Sequence, residues 1–450
     1  MRAHDRIRRE DVGLNLSDVN GNRRRLGFTG AALVALLAAL LLALGGGEPP
    51  RADAQGVARV QPQKKSPKGK KLRSVIAISN NWDGTIDFAD AKSFKVLKRI
   101  NAIPDYRERM SELMLDPVSL AFFLAVRVLI GEGHDQFVDD AFLHPNGRTI
   151  YVSRPSFADV VAIDLRTEQI KWRFEVAGVR ADHMAISDDG SEVIVSASTG
   201  NVGQVIDTKT GQLLREFESG DSPHETNYSK DGKLLYHASI GRVYLPTDEA
   251  QLDTTKGQAF FQIVDAETME IIKRVNFKEK LAEVGYPNMS RAVRPMALSP
   301  NERWLYVQLS FFHGFVEYDL KNDKVTRVIH LPVADHIKHL PKTEYLLDSA
   351  HHGIALDPKG KRFCVAGTMS DYAAIVSRRK PENYKILPVG PKPYWSTNSA
   401  DGKHCYVSVS GADRVAVISY RKRKEVASIP VGDHPQRVRT GVIVNKFLRD

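Results

Sequence analysis

The chain has 450 residues, 42% of them hydrophobic, which is ample for a large core. Its formal charge is +10, yet residues 1–73 carry 15 Lys/Arg against 6 Asp/Glu while the remainder carries 49 against 48. The basicity belongs to the leader, the folded part is nearly neutral, and a nucleic-acid partner is excluded.

In chain order, Arg23, Arg24 and Arg25 precede an apolar run over residues 28–44, which Gly45, Gly46, Gly47, Pro49 and Pro50 end. Ala52, Asp53 and Ala54 then offer a small-residue cleavage site before Gln55. The run has 17 residues, slightly short of the roughly 20 of a membrane span. Residues 1–54 read as an export signal peptide or, if retained, as a membrane anchor. Either fate places the rest outside the cytoplasm, whether secreted, periplasmic or at the cell surface. Residues 55–73 read as a basic disordered linker.

Beyond it, residues 75–81, 85–88 and 95–100 have strand character, and a turn-plus-strand phrase then recurs. It reads HPNGRTIYVS (144–153), SDDGSEVIVS (187–196), SKDGKLLYHA (229–238), SPNERWLYVQ (299–308), DPKGKRFCVA (357–366) and SADGKHCYVS (399–408). A second phrase follows each copy, as in VVAIDLRTEQI, VGQVIDTKTGQL and FFQIVDAETMEI. Each pair makes one four-stranded antiparallel meander, which has two apolar faces and cannot bury them without stacked neighbours. Together with closing phrases such as LPVG (387–390) and IPVG (429–432), the repeat resembles the YVTN (YncE-like) β-propeller family over about residues 74–445.

That resemblance implies an all-β fold, a propeller of seven four-stranded blades. Complete blades are expected at 138–177, 182–220, 224–277, 294–333, 352–390 and 394–432. The first blade lacks an inner strand, and HPQRVRTGVIV (434–444) is expected to supply it and close the ring. Long insertions at 101–137, 240–258, 278–293 and 334–350 should all emerge on the face where the inner strands begin. The first is apolar and helical, with 118–130 expected to pack on the propeller. Loops on one mouth of a rigid scaffold are the usual place for function.

Cys364 and Cys405 fall one register apart on equivalent strands of adjacent blades. Packed sheets lie about 10 Å apart, whereas a disulfide wants Cα atoms about 4.4–6.8 Å apart, so the spacing argues against a bond. Asp164, Asp207, Asp265 and Asp319 recur at one outer turn and read as turn formers.

Aligning the blades puts one position of the inner strand in register: Asp139, Asp182, His224, Arg294, His352, Tyr394 and Gln436. The next position reads Asp140, His183, Glu225, Pro295, Gly353, Trp395 and Arg437. His134 and His351 are candidates to join this ring. One reading is a solvated funnel. A second is a site for a small polar or anionic ligand on Asp139, Asp182, His183, His224, Glu225, Arg294, His352 and Gln436, with Tyr394 and Trp395 as a stacking wall. A third gathers a metal ion such as copper on His183, His224 and His352, with His434 nearby. Asp139 and Asp140 are a weak acid/base pair, since neighbours on a strand point to opposite faces.

The expectation is a monomeric extracytoplasmic propeller that binds a ligand or protein partner at its loop-decorated mouth. The enzyme alternatives are an oxidoreductase with a metal or non-covalent cofactor, or a lactonase-type hydrolase, because lactonase propellers have similar repeats.

Overall fold

A computed structural model describes residues 71–129, 131–242 and 250–448. The leader and most of the linker lie outside them. Seven four-stranded antiparallel sheets form a ring, so the chain is a seven-bladed β-propeller. From the axis outward, blade 2 runs from Ala141–Leu143 to Ile170–Glu175 and blade 3 from Ala181–Ile186 to Leu213–Glu218. The inner strands of blades 4 to 7 are Pro223–Tyr228, Val293–Leu298, Gly353–Leu356 and Pro393–Asn398.

Blade 1 is composite, as the sequence predicts. The C-terminal strand Pro435–Val444 pairs antiparallel with Leu72–Asn80, with Val75 opposite Gly441 and Ala77 opposite Arg439. Ile76, Ile78 and Ala89 of blade 1 then pack on Tyr406, Val415 and Val417 of blade 7, which closes the ring with apolar contact. The expected linker is shorter than its predicted bounds. Leu72 and Arg73 already belong to the strand, and Arg73 Nε donates to Asp90 Oδ2 at 2.8 Å.

Turn chemistry fixes the repeat. In blade 3, Gly190 takes φ +75° and Asp189 Oδ1 accepts the Ser191 N–H at 2.9 Å. Blade 5 has Glu302 in that place, forced to φ +53°, and its carboxylate accepts the Lys230 N–H of blade 4 at 2.8 Å. The outer aspartates are turn formers as expected. Asp207 Oδ1, for example, accepts the N–H groups of Lys209 and Thr210 at 3.0 and 2.7 Å.

The disulfide expectation is corrected. Cys364 and Cys405 are joined, with Cα atoms 6.4 Å apart. The 10 Å spacing holds for sheets separated by large side chains. Here Ala366, Ala373 and Ala416 line the same interface, so blades 6 and 7 approach more closely.

The first insertion forms two helices, α1 (Tyr106–Leu115) and α2 (Pro117–Leu129). Asp116 separates them; its carboxylate accepts the Val118 N–H at 3.1 Å, with Pro117 at the first position of α2. Phe123 and Val126 of α2 are buried, and Phe123 stacks on Phe157 of blade 2, so the segment packs on the propeller as expected. Arg154 of blade 2 pairs with both Asp159 and Asp105, which pins the start of α1. Met114, Leu115 and Val128 remain exposed on the outer side. Among the described residues no helix is long and apolar enough to cross a membrane.

Candidate metal centre

The inner strands carry the same irregularity. In blades 3, 4, 5, 7 and 1 the pairing register slips at Asp182-His183, His224-Glu225, Arg294-Pro295, Tyr394-Trp395 and Gln436-Arg437. In blade 2, Asp139 N–H donates to Ser153 O and Ser153 N–H to Asp140 O, so both aspartates face one residue. In blade 6, His352 N–H and the Gly353 pairing likewise share Ala366. Two residues against one is a β-bulge, which re-aims side chains that strict alternation would send to opposite faces.

Where the residue opposite a bulge is polar, it stitches the inner strands down. Ser153 Oγ accepts from Asp140 N–H at 3.1 Å and Ser408 Oγ from Trp395 N–H at 3.0 Å. Ser196 Oγ donates to His224 O at 2.7 Å, Ser408 Oγ to Gln436 O at 2.6 Å, and Gln308 Nε2 to Gly353 O at 3.1 Å, each in the next blade.

The bulges gather His183, His224 and His352 from blades 3, 4 and 6. One nitrogen from each lies within 4.8 Å of the others, and a second overlapping group joins Asp139, Asp182 and His183. The His183 and His224 ring centroids are 3.9 Å apart, those of His224 and His352 5.3 Å. Tyr394 stacks on His352 at 4.2 Å, and Trp395 meets His183 edge-on at 5.6 Å. These residues are buried; none of the five imidazole and carboxylate groups exceeds 8% exposure. A wet funnel does not describe this ring.

Burial, then the nearby Arg437, holds the His183 and His352 imidazoles well below the usual histidine range; for His224 burial is followed by Arg294. All three are neutral at pH 7, so each has one lone pair; that of His183 faces Arg437 Nη2 and becomes available to an ion only when that contact is given up. Burial, reinforced by Asp139, pushes Asp182 up to about 7, and burial raises Asp139. Arg437 is 1% exposed. Its Nη2 contacts His183 Nε2 and lies 3.7 Å from Asp139 Oδ1, while its guanidinium sits 4.3 Å from the Trp395 ring centroid. Burial works against its charge, and Asp139, Tyr394, Asp140 and Asp182 together overcome that, so it stays cationic.

Other members of the expected set are engaged elsewhere. Glu225 Oε2 accepts the Met296 N–H of blade 5 at 2.8 Å and Oε1 accepts from Asn227 at 3.0 Å. Asp140 does the same for blade 3, accepting from Met184 N–H, and it holds Arg439 through both oxygens at 2.9 and 2.6 Å. Arg294 donates to Ser310 Oγ at 2.9 Å and to Leu347 O, with Asp348 4.0 Å away. Gln436 Oε1 accepts from Asn81 at 3.4 Å. Asp139 turns to Arg437 while Asp140 turns to Arg439, so the two are not an acid/base pair.

Three histidines expected near the ring lie apart from it. His134 and His434 sandwich Trp82 at 3.9 and 3.7 Å, nearly parallel. His351 is buried against Tyr372, its Nε2 3.2 Å from the hydroxyl, with His313 edge-on to it. Sequence register missed the roles of Arg437 and Arg180. Arg437 stands in the second register beside His183, Glu225 and Trp395, which the expected set includes, whereas Arg180 precedes the bulge and falls outside either register.

The residues present fit a metal ion. Closing three nitrogens from 4.8 Å separation onto bonds of about 2.0–2.1 Å moves each inward by roughly 0.7 Å. Three neutral imidazoles flanked by carboxylates suit copper, zinc or iron better than calcium or magnesium.

No family model and no curated protein matches this chain. Among solved structures, a chain of Kuenenia stuttgartiensis hydrazine synthase is similar at 18% identity and a TM-score of 0.49, covering 66% of this chain and 88% of that one. The likeness is one of fold alone.

Proposed function

We propose that this chain is an extracytoplasmic, YVTN-type propeller that binds a transition-metal ion, copper foremost, at its axis through His183, His224 and His352. The observation that carries this reading is the convergence of three buried neutral imidazoles from three blades. Nδ1 of each has no hydrogen-bond partner among the described residues. Copper leads because imidazole sites bind it most tightly among divalent first-row ions. Asp139 and Asp182 offset the ion's charge, and Asp140 and Glu225 hold adjacent blades in register around it.

The Cys364–Cys405 disulfide supports residence in an oxidising compartment, as does the leader. Retained rather than cleaved, residues 28–44 tether the propeller to a membrane; the propeller itself acts as a monomer. The test is metal analysis by mass spectrometry of the full chain purified from an exporting host. The expected result is close to one copper or zinc per chain in the parent and none in a His224→Ala/His352→Ala variant. Metal-free protein after copper and zinc supplementation contradicts the reading.

A further inference from the structure

The axis holds more unpaired hydrogen-bond donors than its own acceptors can use. Arg437 Nε and Nη1, Trp395 Nε1 and Arg180 Nη1 are buried with no partner among the described residues. Against them stand one unpaired carboxylate oxygen, Asp139 Oδ2, the Asn81 Oδ1 and the single lone pair of each neutral imidazole. Arg439 and Arg294 are already matched to Asp140 and to Leu347 O with Asp348. Native proteins pair nearly all buried polar atoms, with one another, with water or with a ligand. Water brings two protons with its two lone pairs into a place already rich in protons. A small oxyanion brings several acceptors and none.

Geometry narrows the class. The Arg437 guanidinium is held over Trp395 at 4.3 Å and near Tyr394 at 5.4 Å, which fixes its plane. Its Nη2 is directed to His183 and Asp139, leaving Nε and Nη1, on opposite edges of the guanidinium, to donate separate bonds. Arg180 Nη2 donates to Gln136 Oε1 at 2.7 Å, so its second terminal nitrogen is the unpaired one. The ring residues are almost fully buried, so a ligand among them has to be small.

We propose that the axis also binds a small oxyanion, such as formate or nitrate, between Arg437, Arg180 and Trp395 on one side and the three imidazoles on the other. It rests on the axis being the functional centre, and it places the anion as the exogenous ligand of the ion held there. The donor set predates the metal, so the anion site exists in metal-free protein.

The experiment uses full-length protein stripped with EDTA and titrated with sodium formate and sodium nitrate, with sodium chloride at equal ionic strength as control. Binding is read by calorimetry and by the shift in melting temperature. The inference expects saturable formate binding that chloride does not reproduce, weakened roughly tenfold or more in Arg437→Lys and severalfold in Trp395→Phe, as loss of charged and neutral hydrogen bonds implies. No saturable formate or nitrate binding by the parent protein overturns it. So does undiminished binding in a folded Arg437→Lys or, should that variant not fold, in Trp395→Phe. Because the titration is metal-free, failure to load metal counts against the metal centre and leaves this result to decide the anion site alone.

Discussion

His237 and His224 sit in the same blade, both buried, both held neutral by burial, and they differ in one respect. His237 has a partner on each nitrogen: Thr226 Oγ1 at 2.8 Å on Nδ1 and Ser219 Oγ at 2.8 Å on Nε2. His224, like His183 and His352, leaves Nδ1 without one. A buried imidazole satisfied on both sides is a structural strut, whereas three that converge with unpaired nitrogens are candidates for ligation. Burial and a depressed pKa do not separate the two cases, since both groups show them. Convergence does: His351 Nδ1 lacks a partner as well, yet His351 turns to Tyr372 and not to the axis.

The largest expected contrast is in metal content. Replacing His224 or His352 by Ala abolishes metal binding while the apo protein melts within a few degrees of the parent. His237→Ala, by contrast, leaves metal stoichiometry unchanged. It destabilises the fold by about 2–4 kcal/mol, because the buried Thr226 hydroxyl and the half-buried Ser219 hydroxyl lose their partner and a cavity opens. Denaturant melts of the three variants, beside elemental analysis, check both halves. A His237→Ala chain without metal but fully folded breaks the comparison.

Next in size is the bond between blades 6 and 7. Opening a 41-residue cross-link removes a constraint worth about 4 kcal/mol in the chain-entropy account. A Cys364→Ser/Cys405→Ser variant should lose roughly 2–4 kcal/mol of stability and still bind metal, since neither residue touches the imidazoles. Equal melting of parent and variant contradicts the bond.

The strut also has a pH signature. Burial lowers the His237 pKa from 6.5 to about 3. Below pH 6.5 the unfolded chain binds a proton there that the folded chain refuses. The contribution of His237 is therefore complete above pH 6.5 and is lost as pH falls toward 3, at up to about 1.4 kcal/mol per pH unit. His237→Gln should flatten the acid limb of stability against pH by that slope. An unchanged limb shows that His237 does not titrate on unfolding.

The smallest effect belongs to the rim. Asp207→Ala removes a carboxylate that accepts two turn N–H groups. It should cost about 0.5–1.5 kcal/mol with no change in metal content, as measured by the same melts.

The blades were legible because turn chemistry is local. An Asp or Gly at a fixed place in each hairpin states the repeat, and even the composite first blade follows from a missing copy of the inner strand. The site was legible as positions and not as directions. Register alone put His183 beside His224 and His352, but only the bulge explains how adjacent residues Asp182 and His183 both serve the axis. It also sends the other half of several pairs away, Glu225 to Met296 N–H and Asp140 to Arg439. His351, next to His352 in sequence, turns to Tyr372 instead. Such choices depend on long-range partners that no repeat period records. The disulfide was misjudged for a related reason: mean sheet spacing says nothing of an interface built from alanines.

The central claim is best tested by X-ray absorption at the metal edge of copper-loaded full-length protein. The account predicts a shell of three imidazole nitrogens at about 2.0 Å, reduced in His183→Ala. A spectrum with no imidazole scattering, or one identical in the parent and in His224→Ala/His352→Ala, contradicts it.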